Sequence, residues 1–108
     1  MVNQHIKIIF GGLVPGRPVD EVNQFLSKLQ EHGVKNIDTA QLYGNSEELL
    51  GQAGAPSRFI VDTKHIGGFE GGQSTKDQVI ARAEKSLENL KTDNVSWRRF
   101  FMIRRQLY

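Results

Sequence analysis

The alternation of short apolar stretches with longer amphipathic ones constrains the fold of this chain most strongly. Strand-like stretches lie at residues 7–10, 34–39 and 58–64, and each is followed by glycines or by polar residues. Helix-like stretches separate them. Because a helix between parallel strands returns the chain by a right-handed crossover, the pattern predicts a parallel α/β sheet.

The first helix is predicted after Pro18, with Gly33 as its C-terminal glycine. Its apolar residues recur at i, i+3, i+4 and i+7, which places Val22, Phe25, Leu26 and Leu29 on one face. A short second helix is predicted at 47–52, with Asn45 or Ser46 available as its cap, and the segment 54–57 ends it.

The third helix is predicted after residues 74–77, which have the spacing of a capping box with Asp in place of Glu. It is predicted to bury five apolar residues, namely Val79, Ile80, Ala83, Leu87 and Leu90. A fourth strand is predicted to begin near Val95. Two architectures fit this order, an open doubly wound sheet and the opening of a (β/α)₈ barrel. A barrel takes about 250 residues, so we expect this chain to supply less than half of one.

The composition excludes several classes of protein. There is no cysteine, which excludes disulfides and thiolate metal sites. The first apolar run, residues 6–10, is too short for a signal segment or a membrane span, so we expect a soluble, cytoplasmic protein. The excess of basic residues lies in the last fourteen positions, which carry four arginines and no acid. We therefore expect no binding to nucleic acid or membrane by the body of the chain, residues 1–94.

The glycines of the first loop do not form a nucleotide-binding motif. In the loop 11–17 they stand at 11, 12 and 16, which does not match the dinucleotide pattern G-x-G-x-x-G. Arg17 and Pro18 stand where a P-loop requires Lys and Ser or Thr. The prediction is a plain loop between strand and helix.

The candidate catalytic residues lie where the second and third predicted strands end. Asp38 and Lys64 follow neighbouring strands, which lie about 4.8 Å apart, so their charges can meet at one rim. Tyr43 is close enough in sequence to reach the same rim. A Lys ammonium beside Tyr43 favours the phenolate and would lower the pKa of the phenol, making Tyr43 a general acid. A structural ion pair with Tyr43 packed on the rim explains the spacing equally well.

Three segments resemble the aldo-keto reductase family, namely KNIDTAQLYGNSEELLG, FIVDTK and SLENLKTDNV. The resemblance runs from Lys7 to Val95 and is strongest to the branch of aflatoxin aldehyde reductases, which indicates a fungal source. It implies the N-terminal portion of a TIM (β/α)₈ barrel, about three βα units and the start of a fourth strand. It also implies an oxidoreductase that uses NADP(H), without a metal, to reduce a small aldehyde or ketone, as in fungal secondary metabolism.

The resemblance further implies a role for each candidate residue. Tyr43 is the proton donor, Lys64 lowers the pKa of Tyr43, and Asp38 pairs with Lys64 beside the nicotinamide.

The resemblance ends after Val95, where the family continues with a strand that ends in histidine. Phe101 stands near that position, and residues 95–108 form a basic tail unlike the family. We therefore predict a partial barrel at 1–94 and an out-of-family tail at 95–108. Because later strands supply most cofactor contacts in the family, we expect the chain to be inactive alone. The alternative is a non-catalytic remnant of an aldo-keto reductase.

Overall fold

A computed structural model describes residues 7–67 and 75–93. Its strands are β1 (Ile9–Gly11), β2 (Asn36–Asp38) and β3 (Ile60–Asp62), and its helices are α1 (Val19–Glu31), α2 (Ser46–Gln52), α3 (Ala55–Arg58) and α4 (Lys76–Leu90). The predicted fourth strand and the tail 95–108 lie outside the described residues. No helix in the described ranges has the length and apolar character needed to cross a membrane.

The three strands form a parallel sheet in the order β1-β2-β3, which confirms the predicted sheet. Phe10 lies opposite Ile37, which lies opposite Val61, and one position later Gly11, Asp38 and Asp62 share a row. The end of β2 is therefore level with the end of β3. This register brings the segments that follow both strands to the same rim of the sheet.

Helix α1 confirms the predicted amphipathic stripe. Val22 and Leu26 are buried, and Phe25, although partly exposed, contacts Phe10 with ring centroids 4.9 Å apart. The helix begins directly after Pro18 and is followed by Gly33 in the left-handed conformation, at φ +78°. A residue with a Cβ is strained at that φ, which explains the glycine.

The segment after α2 differs from its prediction. Gly54, at φ +72°, ends α2 as expected, but residues 55–58 form the further short helix α3 instead of a loop. Pro56 lies in the first turn of α3, where a helix needs no N–H from it. Sequence patterns marked this proline as a helix terminator, although here it helps to begin one.

Helix α4 begins with a capping box formed by Thr75 and Gln78, one residue later than predicted. The Thr75 hydroxyl accepts from the Gln78 amide, and the Gln78 side chain accepts from the Thr75 amide. Burial in α4 falls on Ala83, Ser86 and Leu90, whereas Ile80 is exposed, contrary to the prediction.

The close approach of α2 and α4 explains where α4 is buried. A Cβ on Gly51 would lie 2.1 Å from the carbonyl oxygen of Asn89, so the backbones meet at the C-terminal end of α4. The buried residues of α4 accordingly lie toward that end, and Ile80, nearer the start of the helix, stays exposed.

The core lies between the helices and one face of the sheet. It comprises Val14, Val22, Leu26, Ile37, Leu49, Leu50, Ala55, Phe59, Val61 and Leu90. On the opposite face, Ile9 is 39% and Ile60 is 55% exposed. The prediction of a buried first strand is therefore wrong for β1, because described helices cover only one face of the sheet and β1 lies at its edge.

Candidate active site

The side chain of Lys64 lies at the centre of the candidate site. Its Nζ donates to Asp38 Oδ2 at 2.5 Å and to the backbone carbonyl of Thr39 at 2.9 Å. The Lys64 side chain is 13% exposed and that of Asp38 is 36% exposed, so the pair lies at the edge of the folded body. The ammonium is thus held by two oxygens that belong to the end of β2.

Tyr43 lies against the same ammonium. Lys64 Nζ is 5.3 Å from the centroid of the Tyr43 ring, within the range of a cation–π contact. The structure therefore brings together all three predicted site residues, Asp38, Tyr43 and Lys64. An amine that pointed into bulk water, away from Asp38 and Tyr43, would have contradicted the predicted arrangement.

The turn that carries Tyr43 is held by the first loop. Ser46 is fully buried, and its hydroxyl accepts from the Val14 amide at 2.9 Å and donates to the Tyr43 carbonyl at 2.6 Å. Asn45 Oδ1 accepts from the Gly16 amide at 2.9 Å. Neither side chain caps α2, contrary to the prediction, because both bind backbone amides of the loop after β1.

Gly12 allows that first loop to pass close to the rim. A Cβ on Gly12 would lie 2.8 Å from Ile37 Cγ2 and 3.2 Å from the Asp38 carbonyl. The Gly12 amide donates to that carbonyl at 2.7 Å, and the Thr39 hydroxyl donates to the Gly12 carbonyl at 2.9 Å. The predicted plain loop is therefore a support for the end of β2.

Glu47 is a buried acid beside the site that sequence reasoning missed. Its Oε1 accepts from the Thr63 hydroxyl at 2.5 Å, and its Oε2 accepts from Asn89 Nδ2 at 3.3 Å. Thr63 directly precedes Lys64, so Glu47 links α2 and α4 to the strand end that carries the lysine. A Glu in the first turn of a helix is normally exposed, and periodicity gives no signal for this burial.

His65 is buried and lies against α4. Its Nδ1 accepts from the Gly67 amide at 2.9 Å, which places the ring proton on Nε2. Burial, and secondarily the charge of Arg82, lower the pKa of His65 below its ordinary value of 6.5. His32 is exposed at the end of α1.

A cavity beside α1 is separate from the three predicted site residues. A cavity of about 480 Å³ lies between the first loop and α1, lined by residues that include Phe10, Leu13 and Phe25, and none of the three predicted site residues lines it. Across the described ranges, no cluster of three or more His, Cys, Asp or Glu residues could hold a metal ion.

Comparison with known proteins settles the family. The model of the aldo/keto reductase family matches residues 7–97. The chain belongs to this family. An oxidoreductase named sirO, from Leptosphaeria maculans, is 37% identical over 79 residues, which are 71% of this chain and 24% of that protein.

Solved structures of aldo-keto reductases share the fold of this family member. PA4992 from Pseudomonas aeruginosa, described as an aldo-keto reductase, aligns with a TM-score of 0.67 and 30% identity over 82% of this chain and 39% of that one. AKR11C1 from Bacillus halodurans, in its holo form, gives a TM-score of 0.69 and 27% identity over 83% of this chain and 34% of that one.

These alignments decide between the two predicted architectures. Three strands in sequential order begin both a barrel and a doubly wound sheet, so the topology alone does not choose. Its reductase neighbours identify the described part as the N-terminal portion of a (β/α)₈ barrel. The chain spans between a quarter and two fifths of the length of these relatives.

Proposed function

We propose that this chain carries the proton-donor side of an active site that reduces aldehydes or ketones with NADP(H). The observation that supports this most is the convergence of Lys64 Nζ on Asp38 at 2.5 Å and on the Tyr43 ring at 5.3 Å. Membership of the aldo/keto reductase family supports the same chemistry. A structural ion pair alone would not require a phenol beside the ammonium.

In this proposal each of the three side chains has one task. Tyr43 gives its hydroxyl proton to the oxygen of the substrate carbonyl. Lys64 stabilises the phenolate that remains, because an adjacent positive charge favours the ionised form. Asp38 and the Thr39 carbonyl fix the position of the ammonium. General acid catalysis of this kind contributes about 10²–10⁴-fold to the rate.

The carbonyl carbon receives its hydride from the reduced nicotinamide when that cofactor is bound. Asp38 is the residue that we propose to hold the nicotinamide end. Its carboxylate uses Oδ2 for Lys64 and is 36% exposed at the rim, which suits an acceptor for a cofactor hydroxyl. The preference for NADP(H) rests on the resemblance of the sequence to the family.

The substrate proposed is a small carbonyl compound, such as an aldehyde in a tailoring step of fungal secondary metabolism. Similarity to the oxidoreductase from Leptosphaeria maculans supports an oxidation–reduction reaction, and the role in secondary metabolism rests on the resemblance of the sequence to the aflatoxin aldehyde reductases. The cytoplasmic location, the lack of nucleic-acid binding and the out-of-family tail at 95–108 stay predictions from the sequence.

A chimera tests the proposed chemistry, because we propose that the chain alone does not turn over. Residues 7–93 replace the matching segment of AKR11C1 from Bacillus halodurans, and NADPH oxidation by a reactive aromatic aldehyde is followed by absorbance. We expect Tyr43→Phe in the chimera to lower kcat about 10²–10⁴-fold. Lys64→Met is expected to lower kcat in the same direction in a chimera that still folds.

A folded chimera that reduces the aldehyde equally well after Tyr43→Phe would refute the role of the phenol.

A non-catalytic remnant is the second candidate function. It is favoured by the sequence after Val95, where Phe101 stands near the position of the histidine that ends the next strand in the family. A chimera that folds cooperatively, binds NADPH and still fails to reduce the aldehyde with Tyr43 and Lys64 intact would support the remnant. Turnover that requires both residues would show that residues 7–93 themselves have kept a working catalytic group.

A further inference from the structure

We infer that Gln41 is a positioning residue that holds Tyr43 and Lys64 in mutual contact and fixes both to α4. The inference rests on the proposed function of that site. Gln41 lies two residues before Tyr43, and the residue that it binds after β3, Ile66, lies two residues after Lys64. The two functional segments are therefore joined through one amide side chain.

The hydrogen bonds of Gln41 account for every donor of its side chain. Nε2 donates to the Arg82 carbonyl at 2.7 Å and to the Ser86 hydroxyl at 2.7 Å, and both acceptors belong to α4. Oε1 accepts from the Ile66 amide at 2.9 Å. The orientation of the amide is fixed by chemistry, since the Arg82 carbonyl can only accept and the Ile66 N–H can only donate.

The backbone adds a fourth connection in the same place. The Gln41 amide donates to the Lys64 carbonyl at 3.1 Å, which continues the contact between β2 and β3 beyond the ends of the strands. The Tyr43 amide then turns back to the Ala40 carbonyl at 3.1 Å. Gln41 thus lies at the point where the Tyr43 turn departs from the strand ends.

The hydrogen bond between Gln41 and Ser86 lies where solvent has little access. Ser86 is 1% exposed and Gln41 is half-buried, so their hydrogen bond is protected from competing water. No hydrogen bond of Gln41 reaches Asp38, Lys64 Nζ or the Tyr43 ring. It acts on the site only by placing the two backbone segments, which is why we class it as a positioning residue and not as a catalytic one.

The contact between Lys64 and Tyr43 gives a spectroscopic signature that does not depend on turnover. Because Lys64 Nζ lies 5.3 Å from the centroid of the Tyr43 ring, we expect the aromatic ring current to shift the ε-methylene protons of Lys64 upfield in the NMR spectrum of the full chain. Tyr43→Leu must abolish that shift, which establishes its origin. Gln41→Met keeps the length of the side chain and removes its hydrogen bonds, and we expect it to abolish most of the upfield shift. Ser86→Ala removes one of the four connections and is expected to reduce the shift in part.

Gln30→Met is the matched control. Gln30 also uses its amide in a hydrogen bond, accepting from Arg58 Nε at 2.9 Å, but it lies on α1 away from the site. We expect this variant to keep the full shift at Lys64. An unchanged shift in Gln41→Met, or an equal loss in Gln30→Met, would overturn the positioning role. Either result would refute the role of Gln41 without changing the kinetics expected of the chimera, so the proposed function would still stand. A shift that survives Tyr43→Leu would instead contradict the contact between Lys64 and Tyr43.

Discussion

The close approach of α2 and α4 makes Gly51→Ala a decisive substitution, because two known effects oppose each other there. In an exposed helix interior, alanine is favoured over glycine by about 1 kcal/mol. At Gly51 the new Cβ would lie 2.1 Å from the Asn89 carbonyl oxygen and 2.9 Å from two backbone atoms of Leu90. Ordinary contact begins at about 3.4 Å, so α4 must move away by about 1.3 Å.

That displacement cannot be absorbed by a side chain, since the obstructing atoms are backbone. A gap of even 0.5–1 Å forfeits about a quarter to a half of the dispersion energy across an interface. Leu50 and Leu90, both fully buried, lie at or beside this contact. Because the obstructing atoms are backbone, we take overpacking at the upper end of its usual range, about 3 kcal/mol, and expect a net loss of about 2 kcal/mol after the helical gain of about 1 kcal/mol from alanine. For a domain of this size, that lowers the melting temperature by about 8–16 °C.

Chemical unfolding followed by far-ultraviolet circular dichroism measures the change. Gly11→Ala is the control, because a Cβ at Gly11 meets no atom within 4 Å and should change the stability by less than about 0.5 kcal/mol. A Gly51→Ala protein that is as stable as the parent chain, or more stable, would show that the helices separate without loss. The description of the α2–α4 contact would then be wrong.

Two further predictions concern the buried side chain of His65 and the hydrogen-bonded side chain of Arg58. Because burial lowers the pKa of His65 in the folded state, the unfolded chain binds more protons below pH 6.5, and stability is lost as pH falls through that range. Urea unfolding between pH 7.5 and 5.5 should show a slope of at most about 1.4 kcal/mol per pH unit from this group, and an undiminished slope in His65→Gln would contradict it. Arg58 donates to Asn23, Ser27 and Gln30 on α1 and to the Ala53 carbonyl. Arg58→Ala should therefore cost about 1–3 kcal/mol of unfolding free energy, and Arg58→Lys, which lacks the guanidinium fork, should recover less than half. Full stability in Arg58→Lys would show that charge alone suffices.

The meeting of Asp38 and Lys64 was predictable because neighbouring parallel strands end at the same edge of the sheet. The residues after neighbouring strands must then lie close together, and Asp38 and Lys64 satisfy that requirement with a direct contact. The amphipathic stripe of α1 and the glycine that follows it were predictable for a similar reason, since both patterns are local in sequence. Tyr43 required only a short turn to reach the same rim.

The supporting contacts were not predictable from local patterns, because each depends on which distant segment lies beside it. Asn45 and Ser46 have the composition of helix caps, yet they bind Gly16 and Val14, residues about thirty positions earlier. Glu47 has the composition of an exposed first-turn acid, yet Thr63 and Asn89 surround its carboxylate. Such choices are decided by tertiary packing, which overrides local preference.

The sequential order of the strands in the sheet also affects how the chain can fold while it is being synthesised. Ile9 finds its partner 27 residues later at Asn36, and Asn36 finds its next partner 24 residues later at Ile60. Among the described strands, β2 and β3 therefore each pair with the strand synthesised immediately before them. On the ribosome, this sheet can grow by addition at one edge while translation proceeds.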